Sequence, residues 1–188
     1  LEEPGSGFIL AEAHAILAYL CQKYHWFDLY PNDHRSRAKV DWYLHSHHRG
    51  ARDASLAFFA TNVRKDLTFP KDVVTMSKAV FNRHLKAMED GWLKNSNYLA
   101  GDHVSLADLA AYVDIAQLKP KFTNLYDFDP FPNVSRWMQS LEQFGMHDEA
   151  HAGLAHLGDI SQNSPDKQAI KAANKYGYNV IKGINSNL

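Results

Sequence analysis

The chain has 188 residues, 45% of them hydrophobic, which is enough apolar material to bury one substantial domain and part of another. A formal net charge of −1, with scattered basic residues, favours neither nucleic acid nor an anionic membrane surface as a partner. The single cysteine, Cys21, excludes an internal disulfide framework and fits a reducing compartment, so the cytoplasm is the expected location. No apolar run approaches the roughly 20 residues of a membrane span, and the first residues lack the basic start and long apolar core of a signal peptide. The chain opens on Leu1 rather than Met, which suggests a fragment, a processed product or a trimmed sequence.

After a Gly-Ser-Gly stretch, Phe8, Ile9 and Leu10 predict a short strand, and EAHAILAYLCQKY, with Ile16, Leu17, Leu20 and Tyr24, predicts an amphipathic helix. Turn chemistry at Pro31-Asn32-Asp33 marks residues 26–33 as a linker. From His34 onward Ala38, Trp42, Leu44, His45, Leu56 and Phe59 form the expected buried stripe of a long helix, bent at Gly50. Val73, Met76, Val80, Leu85, Met88 and Trp92 then predict a second long helix, packed antiparallel to the first and broken at Asn95-Ser96-Asn97.

LAGDHVSLADLAAY, residues 99–112, carries a complete helix start. Ser105 is the N-cap and Asp108, three residues on, closes a capping box; Val104 and Leu109 are placed as a hydrophobic staple. Asp108→Ala is therefore expected to cost stability, about 1 kcal/mol or more, without touching chemistry. Pro120 and the DFDPFPNV turn interrupt the chain before VSRWMQSLEQF resumes a helical pattern, and a shorter helix follows over residues 148–156. Beyond Gly158 the composition turns polar, with one helix expected over residues 166–176. The fold class is all-α. The organisation read from the chain is a strand and helix over 1–25, a linker over 26–33, a helical domain over 34–158 and a polar tail over 159–188.

EAHAILAYL, RSRAKVDWYL and YLAGDHVSLADLAAY, in that order, resemble glutathione transferases, the theta-like branch above the others. The resemblance runs from Phe8 to about His156. It implies a glutathione transferase C-terminal helical bundle, preceded by the last strand and helix of a thioredoxin-like domain. It also implies an acceptor-binding and dimerising role in a homodimeric enzyme that conjugates glutathione, as co-substrate and with no cofactor, to electrophilic small molecules. The family's thiolate-stabilising serine and its cis-proline loop have no counterpart in these residues. Because a free thiol is mostly protonated at neutral pH, the fragment alone is expected to be inactive.

On this resemblance Glu12 and Ala13 stand where the family has Glu-Ser at a helix start, binding the γ-glutamyl end of glutathione. A helix N-terminus suits an anion, and Glu12 suits the ammonium group; Ala13 lacks the family hydroxyl, worth about 0.5–1.5 kcal/mol. The plainer reading is that Glu12 only favours the first turn. Asp41 matches a carboxylate that relatives send across the dimer interface to the glutathione amino group; a solvated charge paired with Arg37 is the alternative. His45, His48, Arg49 and Arg52 are acceptor-site candidates, with solvated surface as the alternative for each.

His45, His47 and His48 invite a metal reading, but no carboxylate or cysteine pattern completes a site, so no metal is expected. Cys21 reads as a buried filler, and Trp42, Trp92 and Trp137 as core or interface anchors. Two other functions stay open at this point. One is a non-catalytic interaction module of the translation-factor or synthetase type, and the other is a protein that binds apolar ligands without chemistry.

Overall fold

The structure is a computed structural model that describes residues 1–185. Residues 186–188, the end of the expected polar tail, lie outside the described residues. Near the start Glu3 N–H donates to the Phe8 carbonyl and Leu10 N–H to that of Leu1, both at 3.0 Å. These bonds frame one isolated antiparallel bridge, Glu2 with Ile9, so the strand expected at Phe8–Leu10 is reduced to a minimal hairpin. Three residues paired only with the chain's own start cannot extend a ladder. Helix α1, Ala13–Lys23, follows, with Cys21 buried on its inner face and the thiol pKa raised by burial.

Helix α2 spans His34–His47 and is capped by Asp33, whose carboxylate accepts Ser36 N–H at 2.8 Å. Its buried stripe is Val40, Tyr43, Leu44 and His47, at the spacing i, i+3, i+4, i+7. This corrects the expected stripe: Trp42 is 62% exposed and His45 is exposed. The expected long helix also breaks, rather than bends, at Gly50. Turns occupy residues 48–52, and the chain resumes in a π-helical segment, Ser55–Ala60, ending in the short α3, Thr61–Val63. Helix α4, Lys71–Ala87, runs into a second π-helical turn, Met88–Trp92. Its buried face is Ser77, Phe81, His84 and Leu85, whereas Met76 is 61% exposed and lies off it. Trp42 meets Trp92 in that turn, and Tyr43 meets His84 on α4.

Helix α5, Leu106–Ala116, is the centre of the bundle and is buried on nearly every side. The capping box forms. Asp108 accepts the Ser105 N–H and hydroxyl at 2.8 Å each, then Leu99 N–H at 2.8 Å and the Trp137 indole N–H at 2.9 Å. Helix α6, Pro132–Leu141, is capped from another element: the Glu89 carboxylate, in the second π-helical turn, accepts Asn133 and Val134 N–H at 3.0 Å. Two short helices, α7 (His147–Ala150) and α8 (Ala152–Leu157), lead to α9, Lys167–Asn185, longer than the polarity of the tail predicts. Helices α8 and α9 pack closely because Gly153 and Gly177 face each other; a Cβ on Gly177 would lie 3.1 Å from Gly153 backbone atoms.

His84, 7% exposed, gives the core a pH dependence. Its Nε2 lies 3.2 Å from the Tyr43 hydroxyl, and burial, aided by the charge of His47, pushes its pKa down to about 4. The unfolded chain takes up this proton near pH 6.5 and the folded one only near 4, so the stabilisation is complete above 6.5 and lost as pH falls through that window. Urea denaturation at pH 7 and pH 4 is expected to differ by about 3 kcal/mol from this group. His84→Asn should flatten the profile between those values, and an unchanged slope would refute the assignment.

Candidate functional site

The exposed start of α1 is unusual in its backbone. Glu12 has φ 68° and ψ 119°, a conformation that costs a non-glycine residue energy and persists only where surrounding structure imposes it. Its carbonyl accepts Ile16 N–H at 2.9 Å, opening the helix, while no side chain caps the end and no acidic residue lies in the first turn. Glu12 and Ala13 are both exposed. The first-turn amides are therefore open to an anion from outside, with the Glu12 carboxylate beside them for a cation.

His14 points the other way. Its ring packs 4.8 Å from that of His47 and 4.9 Å from that of His48, tying α1 to α2. His47 is 1% exposed, and its Nε2 lies 2.9 Å from the Asp114 carboxylate on α5. Burial lowers the His14 pKa to about 4, and the charges of His47, His48 and Arg52 push it the same way, against Asp114. The Nδ1 atoms of both His14 and His47 are buried without a partner. Of the four acceptor-site candidates, the structure thus brings His48 and Arg52 into the surroundings of the α1 start, while His45 and Arg49 are simply exposed.

Asp41 belongs to a separate network. It accepts the Tyr30 hydroxyl at 2.8 Å, and Tyr30 is pushed up to about 12 by burial first and this bond second. The Arg37 pairing offered as the alternative for Asp41 does not form. Arg37 instead donates to the Pro31 carbonyl at 2.7 Å and to Asn32 at 2.9 Å, its guanidinium 4.8 Å from the Tyr30 ring centre. Ser105 and Asp108 are buried and structural. Among the described residues, no three His, Cys, Asp or Glu side chains are arranged to hold a metal ion, and no helix is long and apolar enough to cross a membrane.

His14, His47 and Asp114 were not singled out by sequence for this site. The spacing Val40, Tyr43, Leu44, His47 was the available signal for a buried His47, but Asp114 lies 67 residues away and no local pattern joins them.

Residues 36–143 match the family described as glutathione S-transferase, C-terminal domain. This chain belongs to that family. Glutathione S-transferase theta-1 of Mus musculus is 33% identical over 164 residues, covering 81% of this chain and 66% of that protein. The Homo sapiens theta-1 protein is 31% identical over 166 residues, covering 84% and 68%. Among solved structures, human glutathione transferase theta-2 in complex with glutathione and an unknown ligand superposes with a TM-score of 0.72 at 27% identity, over 95% of this chain and 76% of that one. This glutathione S-transferase chain thus spans about two thirds of the length of the curated relatives it matches. The theta-like resemblance and the all-α reading agree with these matches, and nothing among them favours the interaction-module alternative.

Proposed function

We propose that this chain is the acceptor-binding and dimerising part of a cytoplasmic, homodimeric enzyme that conjugates glutathione to electrophilic small molecules. The observation that carries the reading is Glu12. A family member holds an exposed carboxylate in a strained conformation at an uncapped helix start, where an amino acid's ammonium and carboxylate can both be met. In this reading Glu12 takes the γ-glutamyl ammonium of glutathione and the first-turn amides, Ala13 included, take its carboxylate. Asp41, oriented by Tyr30, reaches the glutathione of the partner subunit. His48 and Arg52, with His45 and Arg49 at the periphery, line the acceptor cavity. Residues 1–25 complete a thioredoxin-like domain, 26–33 link it, 34–158 form the helical domain and 159–188 the tail.

Chemically, such a site works by holding a thiolate and an electrophilic carbon together, so that the bimolecular step becomes local. These residues orient the two substrates; Cys21, buried and with its thiol pKa raised, is no nucleophile. The 188 residues alone are accordingly expected to show no conjugation of glutathione to a chlorinated arene above background. Joined behind the thioredoxin-like domain of a theta-class relative, the folded chimera is expected to conjugate. In that chimera Glu12→Gln should raise KM for glutathione about tenfold with a smaller change in kcat. Activity of the 188 residues alone, or a folded chimera indifferent to Glu12→Gln, would overturn the reading.

A further inference from the structure

On α9, Lys167, Lys171 and Lys175 recur every four residues and Lys182 follows seven later. At 100° per residue these spacings set all four on about a quarter of the helix circumference, along about 22 Å of its length. All four are exposed, and none forms an ion pair among the described residues. Asp66, which feels the charge of Lys167, is already held by Arg64. Helix α9 contains no Asp, Glu or Arg, so the net charge of −1 for the whole chain conceals a basic ridge on an otherwise acidic body. Tyr178, three residues after Lys175 and 66% exposed, lies within the ridge, and Ile181, 46% exposed, borders it. The other side of the helix is occupied. Ala173 is buried there, and Gly177 meets Gly153 on α8 closely enough to hold the ridge in place.

We propose that this ridge docks on an anionic lipid surface, with its four ammonium groups at the headgroups and Tyr178 and Ile181 in the interface. Charge complementarity supplies the attraction. Each lysine held near a membrane rich in phosphatidylserine strengthens binding about fivefold, and four together reach an affinity of about 1 mM in accessible lipid. The apolar part follows from side-chain shape: lysine stems lie along an apolar boundary while their heads stay wet, and a tyrosine ring with a polar tip suits the level of the headgroups. A nucleic acid fits these residues less well, because planar arginine forks grip its phosphates best and α9 has no arginine. The docking surface makes no use of the α1 start and is independent of the glutathione reading.

The test is co-sedimentation of the 188-residue protein with vesicles of phosphatidylcholine and phosphatidylserine. Half of the protein is expected on the vesicles at about 1 mM accessible lipid in physiological salt, none on pure phosphatidylcholine, and none once salt reaches about 0.5 M. Lys171→Gln with Lys175→Gln should weaken binding about twentyfold, whereas arginine at both positions should retain it and Lys94→Gln, on another face, should change nothing. Tyr178→Trp reports the contact directly: vesicles should shift its emission to the blue and shield it from acrylamide. Circular dichroism checks that each variant folds; if the glutamine pair does not, Lys167→Gln with Lys182→Gln decides. Absence of sedimentation up to about 10 mM lipid, full binding by a folded glutamine pair, or a Tyr178→Trp side chain still quenched on bound protein would overturn the proposal. So would tighter binding to poly-uridylate than to the vesicles at the same salt, which would assign the ridge to a nucleic acid.

Discussion

Asp108→Ala is expected to destabilise the protein by about 4 kcal/mol or more, well beyond the loss of a helix cap. The capping box alone predicts about 1 kcal/mol, since only the first turn of α5 is at stake. In the structure the carboxylate is 0% exposed and accepts four donors, two on each oxygen. Alanine leaves the N–H groups of Leu99, Ser105 and Trp137 buried with no acceptor, at about 1–3 kcal/mol for each. The Ser105 hydroxyl can rotate and loses less. Burial raises the Asp108 pKa while the four bonds oppose that rise, so the site tolerates the carboxylate because its donors are prearranged around it. Asp108→Asn keeps one oxygen and turns an amide N–H₂ toward donors, so an intermediate loss of about 2–3 kcal/mol is expected. Urea denaturation of the three proteins gives the order directly. A loss under about 1 kcal/mol for Asp108→Ala would show that the three-element junction is not what the carboxylate holds.

This junction also shows what the sequence contains and what it withholds. Ser105 and Asp108 were legible because their bond spans three residues and has a local cause. Trp137, 29 residues further on, was readable only as a large apolar side chain in need of a core, with nothing to say that its N–H meets Asp108. The same division recurs at the candidate site. Glu12 and Ala13 were found through a motif, yet the φ of 68° that distinguishes Glu12 depends on the hairpin and helix on either side of it. On α2 the choice between faces was wrong by one position. The expected stripe contains Trp42 and His45, whereas the apolar spacing of Val40, Tyr43 and Leu44 selects His47. Neither π-helical segment has a local sequence signature, and both lie against α4.

Gly50→Ala is the second substitution expected to have a large effect, about 2–4 kcal/mol, although a single methyl group at a turn is ordinarily mild. A Cβ at this position would lie 2.2 Å from His84 Nδ1, 2.5 Å from its Cγ and 2.8 Å from its Cε1. The ring cannot swing aside, because it is buried, faces the Tyr43 hydroxyl and packs against Trp92. The strain must pass into the backbone where α2 ends, between His48 and Arg52, the two candidates gathered around His14. The cause can be isolated by a double-mutant cycle. In a His84→Ala background the methyl group has room, so Gly50→Ala should then cost less than about 1 kcal/mol, leaving a coupling of at least about 1 kcal/mol. Equal costs in the two backgrounds would place the demand for glycine in the backbone itself rather than in the ring. If the ring is the cause, the contact that ends α2 also fixes where His48 and Arg52 stand. A core histidine on α4 then positions the proposed acceptor wall without facing it.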